Sequence, residues 1–306
     1  SSKSIHVRLL MDKIKIIDQD IVFLSYDEPN AEKNYADLCS KLPWAKRVHG
    51  VDGSDAAHKA CADISETEYF VTIDGDNIID TEFLQQEIDI EQLGLTPNHV
   101  FSWCGNVHVN GLQYGNGGLK LWTRKFVNNM KTHENSNADD TKGLVEFCFD
   151  EMYYQFNDSY SISYTNASPF QAWRAGFREG VKMSLNEGAK HVDVKNIWWQ
   201  NLDRLRIWCS IGADVENGNW SMLGARMGCY MTMCTDWDYT NVRDFKYLTD
   251  YWKDEKVADL DVASELFRYG NNIRSELNLE IADIDALGSK FFKSVYHNTP
   301  RIIKKR

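Results

Sequence analysis

Apolar residues recur along the first half of the chain in two alternating rhythms. The runs DIVFLSY (20–26), AKRVHGV (45–51), YFVTI (69–73) and HVFSWCGNVHV (99–109) are short and unbroken, as in strands buried on both faces. Between them, AEKNYADLCSKL (31–42) follows the turn-like DEPN and Pro29, and SDAAHKACADIS (54–65) repeats Ala57, Ala60, Cys61 and Ile64 behind a Ser54 or Asp55 cap. Both predict helices. Strands alternating with helices predict an α/β fold, with a mainly parallel twisted sheet flanked by helices. From PFQAWRAGFREGVKMSLNEGAK (169–190) the pattern turns helical, and NIWWQNLDRLRIWCSIG (196–212) predicts an amphipathic aromatic helix. The expected organisation is an α/β core over 1–205 and a mostly helical extension over 206–306.

A length of 306 residues suits one large domain or a domain with an extension. Hydrophobic content of 43%, charged content of 26% and five prolines exclude a disordered chain. No stretch approaches the ~20 apolar residues of a membrane span, and SSKSIHVRLL lacks a signal's apolar centre, so the expected location is the cytoplasm, without a membrane partner. Seven cysteines, at 39, 61, 104, 148, 209, 229 and 234, form no CxxC pair and read as reduced thiols. A net charge of −11 repels nucleic acid, so such a partner needs a local basic patch. HNTPRIIKKR, with Arg301, Lys304, Lys305 and Arg306, is one candidate; a solvated terminus is the plainer reading.

The pattern D-x-D occurs at Asp18/Asp20, Asp74/Asp76, Asp236/Asp238, Asp259/Asp261 and Asp283/Asp285. Position separates them. Only Asp74 and Asp76 directly follow a continuous apolar strand, with Gly75 between them to permit a tight turn, and ligands of open α/β sheets bind beyond the carboxyl ends of strands. Two carboxylates held there raise each other's pKa unless a cation lies between them. Mg²⁺ or Mn²⁺ takes one or two carboxylates and fills its remaining sites with water and phosphate, so a metal–diphosphate site is the economical reading. The bland alternative is a turn cap beside a solvated acid.

The stretch GSDAAHKACADISETEYFVTIDGDNIID resembles the nucleotide-sugar-binding core of GT-A glycosyltransferases, in which a small-residue helix leads through an acidic turn into a strand ending in D-x-D. A helix N-terminus offers N–H groups and a positive dipole end to phosphate, to which His58 and Lys59 would add donors. The resemblance implies that Ser25, Tyr26 and Asp27 of SYDEPN meet the nucleoside of a UDP-sugar. It also likens YGNGGLKLWTR to a glycine-rich loop that closes round the donor, with Asn116, Gly117, Gly118 and Lys120 as contacts; a ligand-free hairpin is the alternative. The polar ENSNADDTKG (134–143) reads as a mobile lid. Over FLSYDEPNAEKNYADL, WAKRVHGVDG, ASPFQAWRAGFREGVK and GADVENGNW the chain is similar to glycosyltransferases of large tailed bacteriophages, some of which glucosylate or arabinosylate 5-hydroxymethylcytosine in phage DNA. That implies Mn²⁺ or Mg²⁺, a UDP-sugar and double-stranded DNA bearing modified cytosine in the host cytoplasm. The helical region would lie on the acceptor side.

Inverting transfer also needs a carboxylate to take the acceptor's proton. Asp150 and Glu151 of FCFDEMYY, and Asp214 and Glu216 of GADVENG, are the candidates, with Asp214 favoured for its glycine-flanked turn after an aromatic helix. Retaining transfer needs no such base. His191 or His108 would complete a metal shell. Arg174, or Arg178, would contact a phosphate through its planar fork, unless both lie along a core helix. Competing readings are a protein, glycan or small-molecule acceptor, and a module that binds nucleotide sugar without catalysis.

Overall fold

The computed structural model describes residues 13–115, 117–130, 152–191 and 193–296. The chain begins with β1 (Ile14–Lys15), then β2 (Asp20–Ser25), α1 (Ala31–Lys41), β3 (Lys46–His49), α2 (Ser54–Ile64) and β4 (Tyr69–Asp74). β2, α1, β3, α2 and β4 follow the expected strands and helices closely, because each is set by its own apolar period and bounded by turn residues; β1 was not expected. β5 (Asn77–Ile79) leaves the D-x-D turn, β6 (Glu87–Ile88) pairs with β1, and α3 (Ile90–Leu93) leads to β7 (Val100–Val107). β8 (Gln113–Tyr114), β9 (Leu119–Thr123), α4 (Arg124–Asn129) and β10 (Tyr153–Ser163) complete the α/β part.

The central sheet runs β3-β2-β4-β9-β7-β10-β5, with β8 on β7. β3, β2 and β4 are mutually parallel, as are β7 and β10; β9, β8 and β5 run against their neighbours. The sheet is therefore mainly parallel in strand direction, with one reversed strand near its centre. Its two faces explain the unbroken apolar runs. Ile21, Phe23, Val71, Ile73, Phe101, Trp103, Leu119 and Leu121 point to one face, where Leu38 of α1 covers them. Val22, Phe70, Val100 and Trp122 point to the other, against Cys61 and Ala62 of α2 and Val127 of α4. Alternate residues are thus buried on opposite sides, so no polar face interrupts the pattern.

The segment likened to a glycine-rich donor loop divides in two. Its second half, LKLWT, is the reversed central strand β9, and Lys120 sits opposite Thr72 of β4. A Cβ on Gly117 would stand 2.3 Å from the Trp103 carbonyl oxygen, so glycine is needed there for backbone to pack on backbone.

α5 (Pro169–Met183) follows, then the hairpin β11 (Leu185–Asn186) with β12 (Ala189–Lys190), α6 (Trp199–Ser210) and α7 (Gly218–Cys234). α5 and α7 cross almost backbone to backbone. Cβ atoms on Gly176 and Gly180 would strike the Ser221 and Ala225 carbonyls, and those on Gly224 and Gly228 would strike Trp173 and Phe177. α8 (Phe245–Asp254), α9 (Val262–Leu277) and α10 (Ala286–Val295) close the helical part. The expected division at 205/206 falls inside α6, and the α5–α7 packing spans it. Arg226 of α7 is 1% exposed, yet fully engaged: it donates to the carbonyls of Cys209, Leu266 and Ala282 and to Asp283. Among the described residues no helix is long and apolar enough to cross a membrane, and six cysteines are free thiols.

Candidate functional site

The chain leaves β2 through α1 to β3 on one side, then returns through α2 to β4 on the other, with α1 and α2 on opposite faces. The carboxyl ends of β2 and β4 therefore flank a switch point, where the connections diverge and leave a crevice. Asp74, Gly75 and Asp76 lie there, against the loop after β2. A Cβ on Gly75 would be 2.9 Å from Ser25 Cβ and 3.0 Å from the Glu28 carboxyl, so glycine lets the two loops meet.

Three carboxyl groups crowd this corner. Burial, with Asp74 and Glu28 nearby, pushes the Asp76 carboxyl up to about 7. Burial likewise raises that of Glu28, to which Asp74 and Asp27 add; its Oε2 accepts from the Tyr26 amide at 2.7 Å. Asp76 receives a hydrogen bond from its neighbour Asn77, at 2.7 Å. Among the described residues Asp74 has no hydrogen bond or ion pair to its carboxylate. The other D-x-D copies differ. Asp20 accepts from Lys46 and the Thr67 amide, Asp238 and Asp261 cap helical turns, Asp283 pairs with Arg226, and Asp285 caps α10. Among the described residues, only the pair at 74 and 76 lies at the carboxyl end of a central strand with no cation paired to it.

No group of three His, Cys, Asp or Glu among the described residues encloses a metal by itself. The donor set fits a hard cation nonetheless. Its atoms are carboxylate oxygens, and the carboxamide oxygen of Asn77 beside them is buried with no partner among the described residues. That chemistry suits Mg²⁺ or Mn²⁺ held partly by phosphate and water, and not zinc in a closed nitrogen–sulfur shell.

The remaining expected donor residues are placed unequally. Ser25 is 2% exposed and its hydroxyl is committed, accepting from Arg47 Nε at 3.1 Å and lying 2.8 Å from His49 Nδ1. Tyr26 is exposed at the same strand end. Asp27 meets Arg174 of α5 through two contacts of 3.3 Å, so two expected residues from distant segments converge. The Arg174 guanidinium also lies over the rings of Phe170 and Phe245, while Arg178 donates to the Val242 carbonyl. His58 is buried under Trp122, its Nδ1 2.8 Å from the Ser54 carbonyl, and burial lowers its pKa. It is a neutral core histidine close to Asp74, and Lys59 is half-buried beside it. Lys120 donates to the Gly117 carbonyl. Gly118 packs on the site: its carbonyl accepts from the Asp74 amide at 3.0 Å, and a Cβ there would strike Asn77 and Asp74.

A second cluster adjoins the first. The amide of Tyr164, just after β10, donates to the Asp76 carbonyl at 2.8 Å, and its ring lies 4.6 Å from that of His108. Lys293 of α10 reaches the His108 carbonyl at 3.4 Å and both oxygens of Asp214 at 2.8 and 3.0 Å. Asp214 is therefore brought to the same edge, already paired with a cation. Burial and Lys293 lower the His108 pKa. Glu216 is exposed, its carbonyl held by Asn166. His191 follows β12, past the far end of α5. That helix is about 22 Å long and its first turn adjoins Tyr164, so the structure does not bring His191 to Asp76. Asn116, Asp150, Glu151, the expected lid 134–143 and the basic tail lie outside the described residues.

Glu28, Arg47, His49 and Lys293 were not anticipated. Glu28 stands in the quoted SYDEPN turn, and its signal was a third acid beside the strand end. Arg47 and His49 alternate on the second strand, a spacing that puts both at one edge; Lys293 carried no local signal.

No protein-family model matches the chain, and no curated protein matches it. Among solved structures, it resembles a glycosyltransferase involved in glycosylation of the major capsid of PBCV-1, with 14% identity and a TM-score of 0.29, over 49% of this chain and 94% of that one. HddC from Yersinia pseudotuberculosis gives 16% identity and a TM-score of 0.24, over 47% and 71% of the two chains. The mannosyltransferase PcManGT from Pyrobaculum calidifontis, in complex with GDP-Man and Mn²⁺, gives 8% identity and a TM-score of 0.31, over 88% and 91%.

Proposed function

We propose that the chain is a GT-A type glycosyltransferase, using a divalent cation to transfer a sugar from a UDP-sugar to a hydroxyl acceptor. The observation that carries this reading is the Asp74/Asp76 pair, the one D-x-D copy among the described residues at a sheet switch point, with no cation paired to either carboxylate there. Asp74 and Asp76 would hold Mn²⁺ or Mg²⁺, which when bound neutralises charge growing on the leaving diphosphate. At an effective dielectric of about 20, one close pair of unit charges is worth ~4 kcal/mol, enough to matter for a departing phosphate.

The chain's own residues supply the rest. Gly75 and Gly118 let the neighbouring segments pack closely against the D-x-D turn, Tyr26 offers an exposed ring to the base, and Arg174 carries a cation to the mouth of β2. Asp214 is the acceptor-side base in an inverting reaction. Lys293 holds it in place and must release one of its oxygens to the acceptor hydroxyl.

The acceptor favoured by the phage-like segments is 5-hydroxymethylcytosine in DNA, reached by glucosyl or arabinosyl transfer. The net charge of −11 favours a second reading, a protein, glycan or small-molecule acceptor. The test is donor turnover with Mn²⁺ across a UDP-sugar panel, with and without hydroxymethylated DNA, followed by mass analysis of digested nucleosides. Sugar-sized mass gain on the nucleoside supports the DNA acceptor; transfer elsewhere selects the second reading. Tight UDP binding without turnover identifies a binding module. Wild-type turnover by Asp76→Ala overturns the site assignment.

A further inference from the structure

We infer that Asn34 and Asn77 are positioning residues that fix the Asp74–Gly75–Asp76 turn, and that Asn77 selects which oxygen of Asp76 is left to face a ligand. The inference rests on the reading of Asp74 and Asp76 as the cation-binding corner.

Both carboxamides occupy positions where packing alone calls for an apolar side chain. Asn34 is 2% exposed and shares the buried face of α1 with Ala31 and Leu38, at i, i+3 and i+7. Asn77 is 3% exposed at the start of β5, opposite Ser163. A buried amide that is not fully hydrogen-bonded opposes folding. Asn34 offsets this by donating Nδ2 to the Gly75 carbonyl at 3.0 Å, a group beyond the last ladder pair of β4. Asn77 does so only in part. Its Nδ2 donates to Asp76 Oδ1 at 2.7 Å, while its own Oδ1 has no partner among the described residues. The carboxylate can only accept, so the amide nitrogen must face it, and the carboxamide oxygen is left over.

Four hydrogen bonds therefore immobilise the turn. Asp74 N donates to Gly118 O at 3.0 Å, Asn34 holds the Gly75 carbonyl, Tyr164 N donates to the Asp76 carbonyl at 2.8 Å, and Asn77 holds one carboxylate oxygen. Three come from distant segments, through Gly118, Asn34 and Tyr164, and the fourth from the next residue in the chain, so tertiary contacts fix the turn's backbone while Asn77 orients the Asp76 side chain. With Oδ1 committed, Asp76 offers Oδ2. Groups that orient a ligating carboxylate typically change metal affinity by about 10–100-fold when removed.

The experiment compares the wild-type chain with Asn77→Ala, Asn77→Ser, Asn34→Leu and Asp76→Asn. Manganese binding with UDP is followed by the loss of the free-Mn²⁺ electron paramagnetic resonance signal and by the bound-ion line shape, and thermal melts identify any variant that fails to fold. The expected result is at least 10-fold weaker Mn²⁺ binding and an altered line shape in folded Asn77 variants, a smaller loss in Asn34→Leu, and near-complete loss in Asp76→Asn. Wild-type affinity and line shape in the folded Asn77 variants, with binding lost in Asp76→Asn, overturn the positioning role alone. Wild-type binding in Asp76→Asn overturns the cation corner itself, a separately visible failure.

Discussion

Replacing Gly118 with alanine puts one methyl group at the point where the glycine segment meets the carboxylates. Its Cβ would lie 2.3 Å from Asn77 Nδ2, 2.8 Å from Asn77 Cγ and 2.9 Å from Asp74 Cβ. Nothing there yields easily. Asp74 ends a hydrogen-bonded strand, and Asn77 is buried and bonded to Asp76. Restoring ordinary contact needs a movement of roughly 1 Å, and a misplacement of that size costs on the order of 10²-fold in activity. Overpacking of this kind destabilises by about 1–3 kcal/mol. At roughly 2–4 °C per kcal/mol, the melting temperature falls by some 2–12 °C. Gly115→Ala is the matched control: its Cβ would meet the flexible end of Gln155 at 2.9 Å, which can swing aside. Melting curves, Mn²⁺–UDP affinity and donor turnover are measured on both. Gly118→Ala should lose stability and about two orders of turnover, and Gly115→Ala neither. Equal behaviour of the two, or an unaffected Gly118→Ala, would refute the claim that this glycine makes room for the site.

Three further outcomes follow from the same geometry. In EDTA, Asp76, raised to about 7, binds a proton in the folded chain that it has lost in the unfolded one above roughly pH 4; folding stability falls as pH rises from there to about 7. Stability of wild type minus that of Asp76→Asn, from urea titrations, should decline across this window, and Mn²⁺ with UDP should reverse the decline at pH 8. His58, lowered by burial, acts oppositely, its stabilisation being lost as pH falls below roughly 6.5, and it cancels in the difference. Asp214→Asn and Lys293→Met should each reduce transfer while leaving Mn²⁺–UDP affinity unchanged, and a double mutant should show a coupling of about 0.5–3 kcal/mol in transfer rate; additive losses would argue against the pair acting together. Arg226→Met should cost about 1–3 kcal/mol in urea denaturation, because the carbonyls of Cys209, Leu266 and Ala282 lose a donor, while the half-exposed Asp283 keeps Arg274.

The early strands and helices were legible in the sequence because each is specified locally. In β2 and β4 burial on both faces makes the run continuously apolar, and in α1 and α2 the helical period marks the helix; the expected Ser54 or Asp55 cap is not found, since Gly53 is the N-cap of α2 and makes no side-chain capping bond. The position of Asp74 and Asp76 at the carboxyl end of a central strand was legible for a related reason, since the apolar run that precedes them marks the strand and its end. Local pattern did not reveal that LKLWT is a central reversed strand, because a glycine-rich lead-in reads as a loop wherever packing is unseen. Nor did it place the division of the chain, since α5 and α7 share an interface that no linker announces.

The sequence alone thus determined the early strands and helices, the mainly parallel sheet and the acidic turn, encoded over fewer than about 15 residues at a time by periodicity and turn chemistry, but not β9 or the β11–β12 hairpin that ends the stretch read as helical. Tertiary structure decided which acids stay unpaired. Asp20 and Asp283 acquire cations and Asp238, Asp261 and Asp285 act as caps, whereas Asp76, with Asp74 and Glu28 nearby, accepts only from its neighbour Asn77 among the described residues. It alone brought Lys293 to Asp214 across 79 residues, and Asn34 to Gly75 across 41. Those meetings depend on which segments the packed core sets side by side, and no short-range pattern carries that information.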